Sequence, residues 1–136
     1  MLKTDLLLEA ISQIKKMLMG NTEKTYKKRF IVRIGQHLKM IAIEDVVCFY
    51  SENKGTYIHT SDNRDHLLDE TLDEIELLTD PAKYFRINRK YLIRIDAIQD
   101  MIAYSNNRLK LKLTHCESDD LIVSREKIKA FKNWLH

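Results

Sequence analysis

Apolar positions change period once along the chain. Over residues 5–19, Leu7, Ile11, Ile14 and Leu18 recur at the spacing of one helical face, predicting an amphipathic helix. Thr4 or Asp5 can cap its start, and Gly20-Asn21 suits a left-handed end. A helix this short is marginal in water on its own. It reads as a connector to an upstream module, or as a pairing surface between protomers. Residues 21–28 are polar and cationic, as in a linker.

From Phe30 the period falls to two. Residues 30–34 and 38–42 alternate about the turn Gly35-Gln36-His37 and predict a hairpin. Residues 46–51 and 56–60 predict a second hairpin around Glu52-Asn53-Lys54-Gly55. A short strand follows near 64–68. Asp69-Glu70-Thr71 then caps a helix that turns Leu72, Ile75 and Leu78 inward and stops at Asp80-Pro81. Further strands are predicted over 91–95, 98–104, 108–113 and 121–123, with Asp96-Ala97 and Ser105-Asn106-Asn107 as turns. In 108–113 leucines alternate strictly with Arg108, Lys110 and Lys112. Ser124 is placed to cap a last helix striped by Ile128, Phe131, Trp134 and Leu135. The expected fold is mainly β: a β-dominated α+β domain of antiparallel sheets with two short helices over 29–136, preceded by the helix and basic linker of 1–28.

Composition adds a core, and charge adds polarity. The chain has 136 residues, 44% of them hydrophobic, enough for one folded domain. Its net charge of +3 conceals a segregation. Residues 1–29 carry seven cations and three acids, 30–82 carry four and eleven, and 83–136 carry twelve and six. The basic C-terminal third is therefore set against an acidic middle, a polarity suited to steering an anionic partner. The plain alternative is that these charges are ordinary solvated faces.

Little in the chain suggests catalysis. It lacks the glycine-rich phosphate loops and the H-E-x-x-H pattern. Its five histidines are scattered, with no metal-ligand spacing. His115 and Cys116 are adjacent, so on an extended chain they point to opposite faces and make a poor dyad. The acids from Asp69 to Glu76 fit the solvated face and start of a helix. Cys48 sits in an apolar run as a small core residue, and Cys116 is expected in a polar loop. Two cysteines make no disulfide framework, which fits a reduced cytoplasmic location, and no run is long enough for a membrane span. No enzyme activity, metal or cofactor is expected.

Binding chemistry is concentrated in two segments. Arg86, Asn88, Arg89 and Lys90 fall within five residues, between an aromatic pair and an apolar strand. Arg125, Lys127 and Lys129 open the last helix. Arg89 and Arg125 offer planar forks that match the two major-groove acceptors of guanine. Lys54, Lys90, Lys127 and Lys129 suit phosphates, for which a point charge suffices. Arg86 has two readings: a nucleic-acid contact, or a partner for an acid of the preceding helix. Arg108, Lys110 and Lys112 read first as a solvated strand face.

The run YFRINRKYLIRIDAI and the later IVSREKIKAFKNWL resemble the LytTR family of DNA-binding output domains from bacterial two-component response regulators. The stretches IAIEDVVCFYSENKGTYIHT and LDETLDEIELLTDPAKYFRINR fit its opening strands and its helix-to-loop passage. The resemblance spans about residues 30–136. It implies an elongated β fold, distinct from helix-turn-helix, that inserts loops into successive major grooves. Matched by position, it implies DNA contacts at Lys54 and Thr56, at Asn88, Arg89 and Lys90, and at Arg125 aided by Lys127 and Lys129. Lys90 stands where the family often has serine, and Arg94 where it often has asparagine.

The leading expectation is therefore sequence-specific binding of double-stranded DNA in transcription regulation, by a homodimer on paired half-sites. The 28 residues before the domain cannot hold a receiver, so the chain is expected to be either a fragment of a longer regulator, the favoured reading, or a regulator that stands alone. The alternative is a protein-interaction module whose basic face binds an acidic partner.

Overall fold

The computed structural model describes residues 9–11, 25–104 and 107–136. Of the predicted helix over 5–19, residues 9–11 are helical, and the rest, with its Gly20-Asn21 end, lies outside the described residues. So does most of the Ser105-Asn106-Asn107 turn, although Asn107 takes a left-handed φ of 57°.

The described strands form three antiparallel sheets. β1 (Arg29–Ile34) and β2 (His37–Ala42) make a hairpin. β3 (Val46–Glu52), β4 (Gly55–Thr60), β5 (Asp65–Leu68), β6 (Tyr84–Arg86) and β7 (Tyr91–Arg94) form a five-stranded sheet in the order β5-β4-β3-β7-β6. β8 (Ile98–Tyr104), β9 (Arg108–Leu113) and β10 (Ile122–Val123) form a third, in the order β10-β9-β8. From Arg29 onward, the α-helices among the described residues are α1 (Leu72–Leu78) and α2 (Ile128–Trp134).

The five-stranded sheet separates two apolar layers. One holds Phe30, Val32, Ile41, Phe49, Ile58, Leu72, Ile75 and Leu92, joining the hairpin and α1 to one sheet face. The other holds Cys48, Ile87, Tyr91, Ile93, Leu111, Leu121, Val123 and Phe131, joining the third sheet and α2 to the opposite face. β3 and β7 are buried on both faces, which is why they read as unbroken apolar runs. A bulge between Val46 and Cys48 turns Val47 and Cys48 toward the same layer.

α1 follows its cap chemistry. The Thr71 hydroxyl accepts from the Glu74 amide while the Glu74 carboxylate accepts from the Thr71 amide. Its end differs from expectation: Leu78 is 36% exposed, and Thr79 is buried in its place, donating to the Ile75 carbonyl. β6, which the sequence did not signal, forms because Tyr84–Arg86 pairs with β7. The last helix also begins differently. Arg125–Lys127 is a 3₁₀ turn, and the Ser124 side chain caps nothing. Its Oγ is buried without a hydrogen-bond partner. α2 is instead held by packing: Phe131 meets Phe85 at 5.4 Å, and Trp134 meets Phe85 at 5.1 Å while donating to the Pro81 carbonyl.

Candidate nucleic-acid interface

The loop joining β6 to β7 carries three of the predicted contacts, and its own chain holds it rigidly. Arg86 Nη1 pairs with Asp73 at 2.8 Å and with Glu76 at 3.1 Å, both on α1. Its Nε and Nη2 donate to the carbonyls of Asn88 and Arg89. Arg86 therefore takes the structural one of its two readings: it ties the loop to α1.

Asn88 is a second brace. Its Nδ2 donates to the carbonyls of Asp120 and Ile122, and its Oδ1 accepts from the amides of Lys90 and Tyr91. These four bonds brace the loop from within, and the DNA contact expected of Asn88 would compete with them. Lys90 is paired too, with Asp120 at 2.8 Å and Glu52 at 3.7 Å. The Asp120 hydrogen bond holds the Lys90 ammonium above its ordinary pKa. Lys127 is half-buried and donates to the Arg86 carbonyl. Lys90 and Lys127 are therefore partly occupied by the protein itself. Thr56 is 8% exposed inside β4, paired with Ser51 and Leu68, so it offers little surface.

Arg89, Arg125, Lys129 and Lys54 are exposed. None forms an ion pair with an acid among the described residues. Arg89 and Arg125 line one open cleft of about 780 Å³, with Ile122, Val123 and Ser124 among its other lining residues. Arg108 lines it as well, although strand alternation alone gave it only a solvated role. Nothing in the strand pattern distinguishes it from Lys110 and Lys112; sheet packing brings it to the cleft. Arg125 also lines an adjoining depression of about 630 Å³ with Lys129 and Lys132. The basic surface thus runs from the loop, across the end of β9, onto α2. Lys54 stands apart at the tip of the β3–β4 turn, where Asn53 and Lys54 both have positive φ, as a two-residue hairpin turn requires.

Behind the loop, His59 is held at both ring nitrogens. Nδ1 meets Asp65 at 2.7 Å, and Nε2 meets the His115 carbonyl. Burial alone would lower its pKa, but the Asp65 hydrogen bond and the His115 carbonyl outweigh burial and raise it. The unfolded value is about 6.5. A folded-state pKa above that value makes the contribution full below about pH 6.5 and lost as pH rises through the folded value. Thermal unfolding from pH 6 to pH 8 should show this loss, and His59→Gln should remove it. A His59→Gln curve parallel to wild type would refute the assignment.

A mainly β scaffold with an acid-anchored loop, beside guanidinium groups that form no ion pair among the described residues, defines a class: a β-type domain built to meet an anionic surface. The LytTr DNA-binding domain family matches residues 36–136, and the chain belongs to that family. Among solved structures it is similar to the LytTr DNA-binding domain of a putative methyl-accepting/DNA response regulator from Bacillus cereus. That match has a TM-score of 0.72 at 16% identity and covers 80% of this chain and 97% of the other. At this identity the likeness speaks for the fold. The chain matches no curated protein sequence. Among the described residues, no helix is long and apolar enough to cross a membrane, and no cluster of His, Cys, Asp and Glu could hold a metal ion.

Proposed function

We propose that this chain reads duplex DNA in a sequence-specific manner through the cleft bounded by Arg89 and Arg125. One observation carries the reading: both guanidinium groups are exposed on the same cleft, and neither forms an ion pair among the described residues, whereas Asp73, Glu76 and Asp120 on that cleft are taken up by Arg86 and Lys90. Arg89 and Arg125 meet base edges in the major groove. Arg108, Lys129 and Lys54 meet phosphates, with Lys90 and Lys127 contributing the charge their own partners leave. Arg86 and Asn88 hold the loop in shape. The domain acts in the cytoplasm as the output module of a transcriptional response regulator, downstream of a receiver domain. It binds paired half-sites as a homodimer, because one module of this size covers limited DNA surface.

The test is a salt titration on a duplex recovered by selection from a random pool. The logarithm of affinity should fall linearly with the logarithm of salt, by about 0.9 per phosphate contacted. Arg89→Ala and Arg125→Ala should each cost about 1–3 kcal/mol and relax preference among sequences. Lys129→Ala should weaken all sequences alike and reduce the salt slope by about 1. If both arginine variants hold the selected duplex as tightly as wild type, the site is misassigned.

A further inference from the structure

Cys48 and Cys116 are 68 residues apart in sequence, yet their Sγ atoms are 3.9 Å apart. Both are free thiols. They are not equivalent. Cys48 lies in β3, which is hydrogen-bonded on one side to β4 and on the other to β7, and it has no solvent exposure. Cys116 is 9% exposed on the segment between β9 and β10. It lines a second cleft, of about 600 Å³, together with His59, Asp65 and His115. A small solute can therefore approach Cys116, while Cys48 lies behind it.

The proton is divided unequally as well. The hydrogen bond from Cys48 and the nearby His59 charge favour the Cys116 thiolate over the opposing effect of burial, so its pKa falls. Cys48 is pushed well up by the same hydrogen bond and by burial. The thiolate is the nucleophile, and low-pKa accessible thiols beside a second thiol are the ones that oxidise reversibly.

We propose that Cys116 and Cys48 are an oxidisable pair that closes to an intramolecular disulfide under hydrogen peroxide and thereby loosens the loop carrying Arg89. In the first step the Cys116 thiolate attacks one peroxide oxygen. The O–O bond breaks, hydroxide leaves and takes up a proton, and Cys116 becomes a sulfenic acid. In the second step Cys48 sulfur attacks the Cys116 sulfur. The S–S bond forms, the S–O bond breaks, and the oxygen leaves as water with the Cys48 proton. Two thiols have lost two electrons, and one peroxide has become two waters.

Closure must bring the sulfurs from 3.9 Å to about 2.05 Å. Side-chain rotation supplies part of that approach; β3 is hydrogen-bonded on both edges, so the backbone adjustment that goes with it falls on the segment after β9. That segment carries Asp120, whose carboxylate pairs with Lys90 and whose carbonyl accepts from Asn88. Drawing it toward Cys48 strains the contacts that shape the loop of Arg89. This part of the inference rests on the DNA-binding reading; the chemistry of the pair does not.

The experiment treats the full, folded, reduced chain with hydrogen peroxide, removes the peroxide, and then unfolds the chain in guanidinium chloride containing iodoacetamide, so that buried Cys48 is also counted. Wild type should lose both alkylatable thiols, become lighter by two hydrogens, remain a single chain on a non-reducing gel, and revert with dithiothreitol. Cys116→Ser should keep its Cys48 thiol alkylatable. Cys48→Ala, chosen in case Cys48→Ser does not fold, should stop at an unresolved Cys116 oxidation product. Binding of a random-sequence duplex pool at low salt should weaken roughly tenfold on oxidation of wild type and stay constant in Cys116→Ser. Two thiols that survive peroxide in the folded chain, or that join only between chains, would overturn the pair. Full closure with unchanged DNA affinity would overturn the switch. A reduced chain that binds no duplex would count against the DNA reading, while mass and thiol number would still judge the pair.

Discussion

Asn88→Ala is expected to lower stability and DNA affinity together, by about 2–4 kcal/mol in stability. The side chain makes four hydrogen bonds to the backbone, two donated and two accepted. Each contributes on the order of 0.5–1.5 kcal/mol net, and the cost rises where a buried partner is left unsatisfied. The Ile122 carbonyl and the amides of Lys90 and Tyr91 would lose the bond to Asn88, while the Asp120 carbonyl would keep its bond from the Ile122 amide. The loop would loosen, and Arg89, next in sequence, would lose its aim, so affinity should fall by an amount similar to that of Arg89→Ala. Asn88→Asp separates bracing from contact. It keeps an acceptor for the two amides but sets a carboxylate against two carbonyls, so it should destabilise comparably. If Asn88 touched DNA instead, Asn88→Ala would reduce affinity and leave the unfolding midpoint unchanged.

Phe131→Ala is expected to cost about 3–5 kcal/mol, the usual range for emptying a buried phenylalanine site. Phe131 is fully buried and packs against Phe85 and Trp134. For a domain near this size the melting point should fall on the order of 10–20 °C. Trp134 is the chain's single tryptophan, so its fluorescence reports the packing of α2 directly. Its emission should shift to the red in Phe131→Ala, because the ring loses a neighbour 5.7 Å away. Phe131→Leu should cost less, since it leaves a smaller cavity. An unchanged midpoint and unchanged emission would show that α2 is held by something other than this aromatic cluster. The expected result also bears on the cleft: Arg125 and Lys129 are carried by the 3₁₀ turn and helix that Phe131 pins down.

Much of the fold was legible because its signals are local. Strict alternation in β9, the Thr71–Glu74 capping box and the Asn53-Lys54 turn each lie within a few residues. β6 escaped notice because three residues are too few to show a period; pairing with β7 defines it. Ser124 misled in the other direction. A serine before a helical stripe is a good cap by composition, but the chain enters a 3₁₀ turn there and buries the hydroxyl. The match of Thr56 to a contact position carried no information on burial, and its place in β4, inside the sheet, leaves it 8% exposed.

The site was legible in outline only. The sequence by itself determined that cations gather in the C-terminal third, that the domain is β-dominated, and that the run from Arg86 to Lys90 forms a charged loop between strands. Those properties are set by composition and by spacing over a few residues. The tertiary structure alone decided which cations remain free. Arg86 is bound by α1 and Lys90 by Asp120, while Arg89, Arg108 and Arg125 come to one cleft. It alone also turned Asn88 inward and brought Cys116 to Cys48. The reason is physical: charge neutralisation and thiol proximity depend on partners supplied by other sheets and helices, and no local spacing encodes where those will pack.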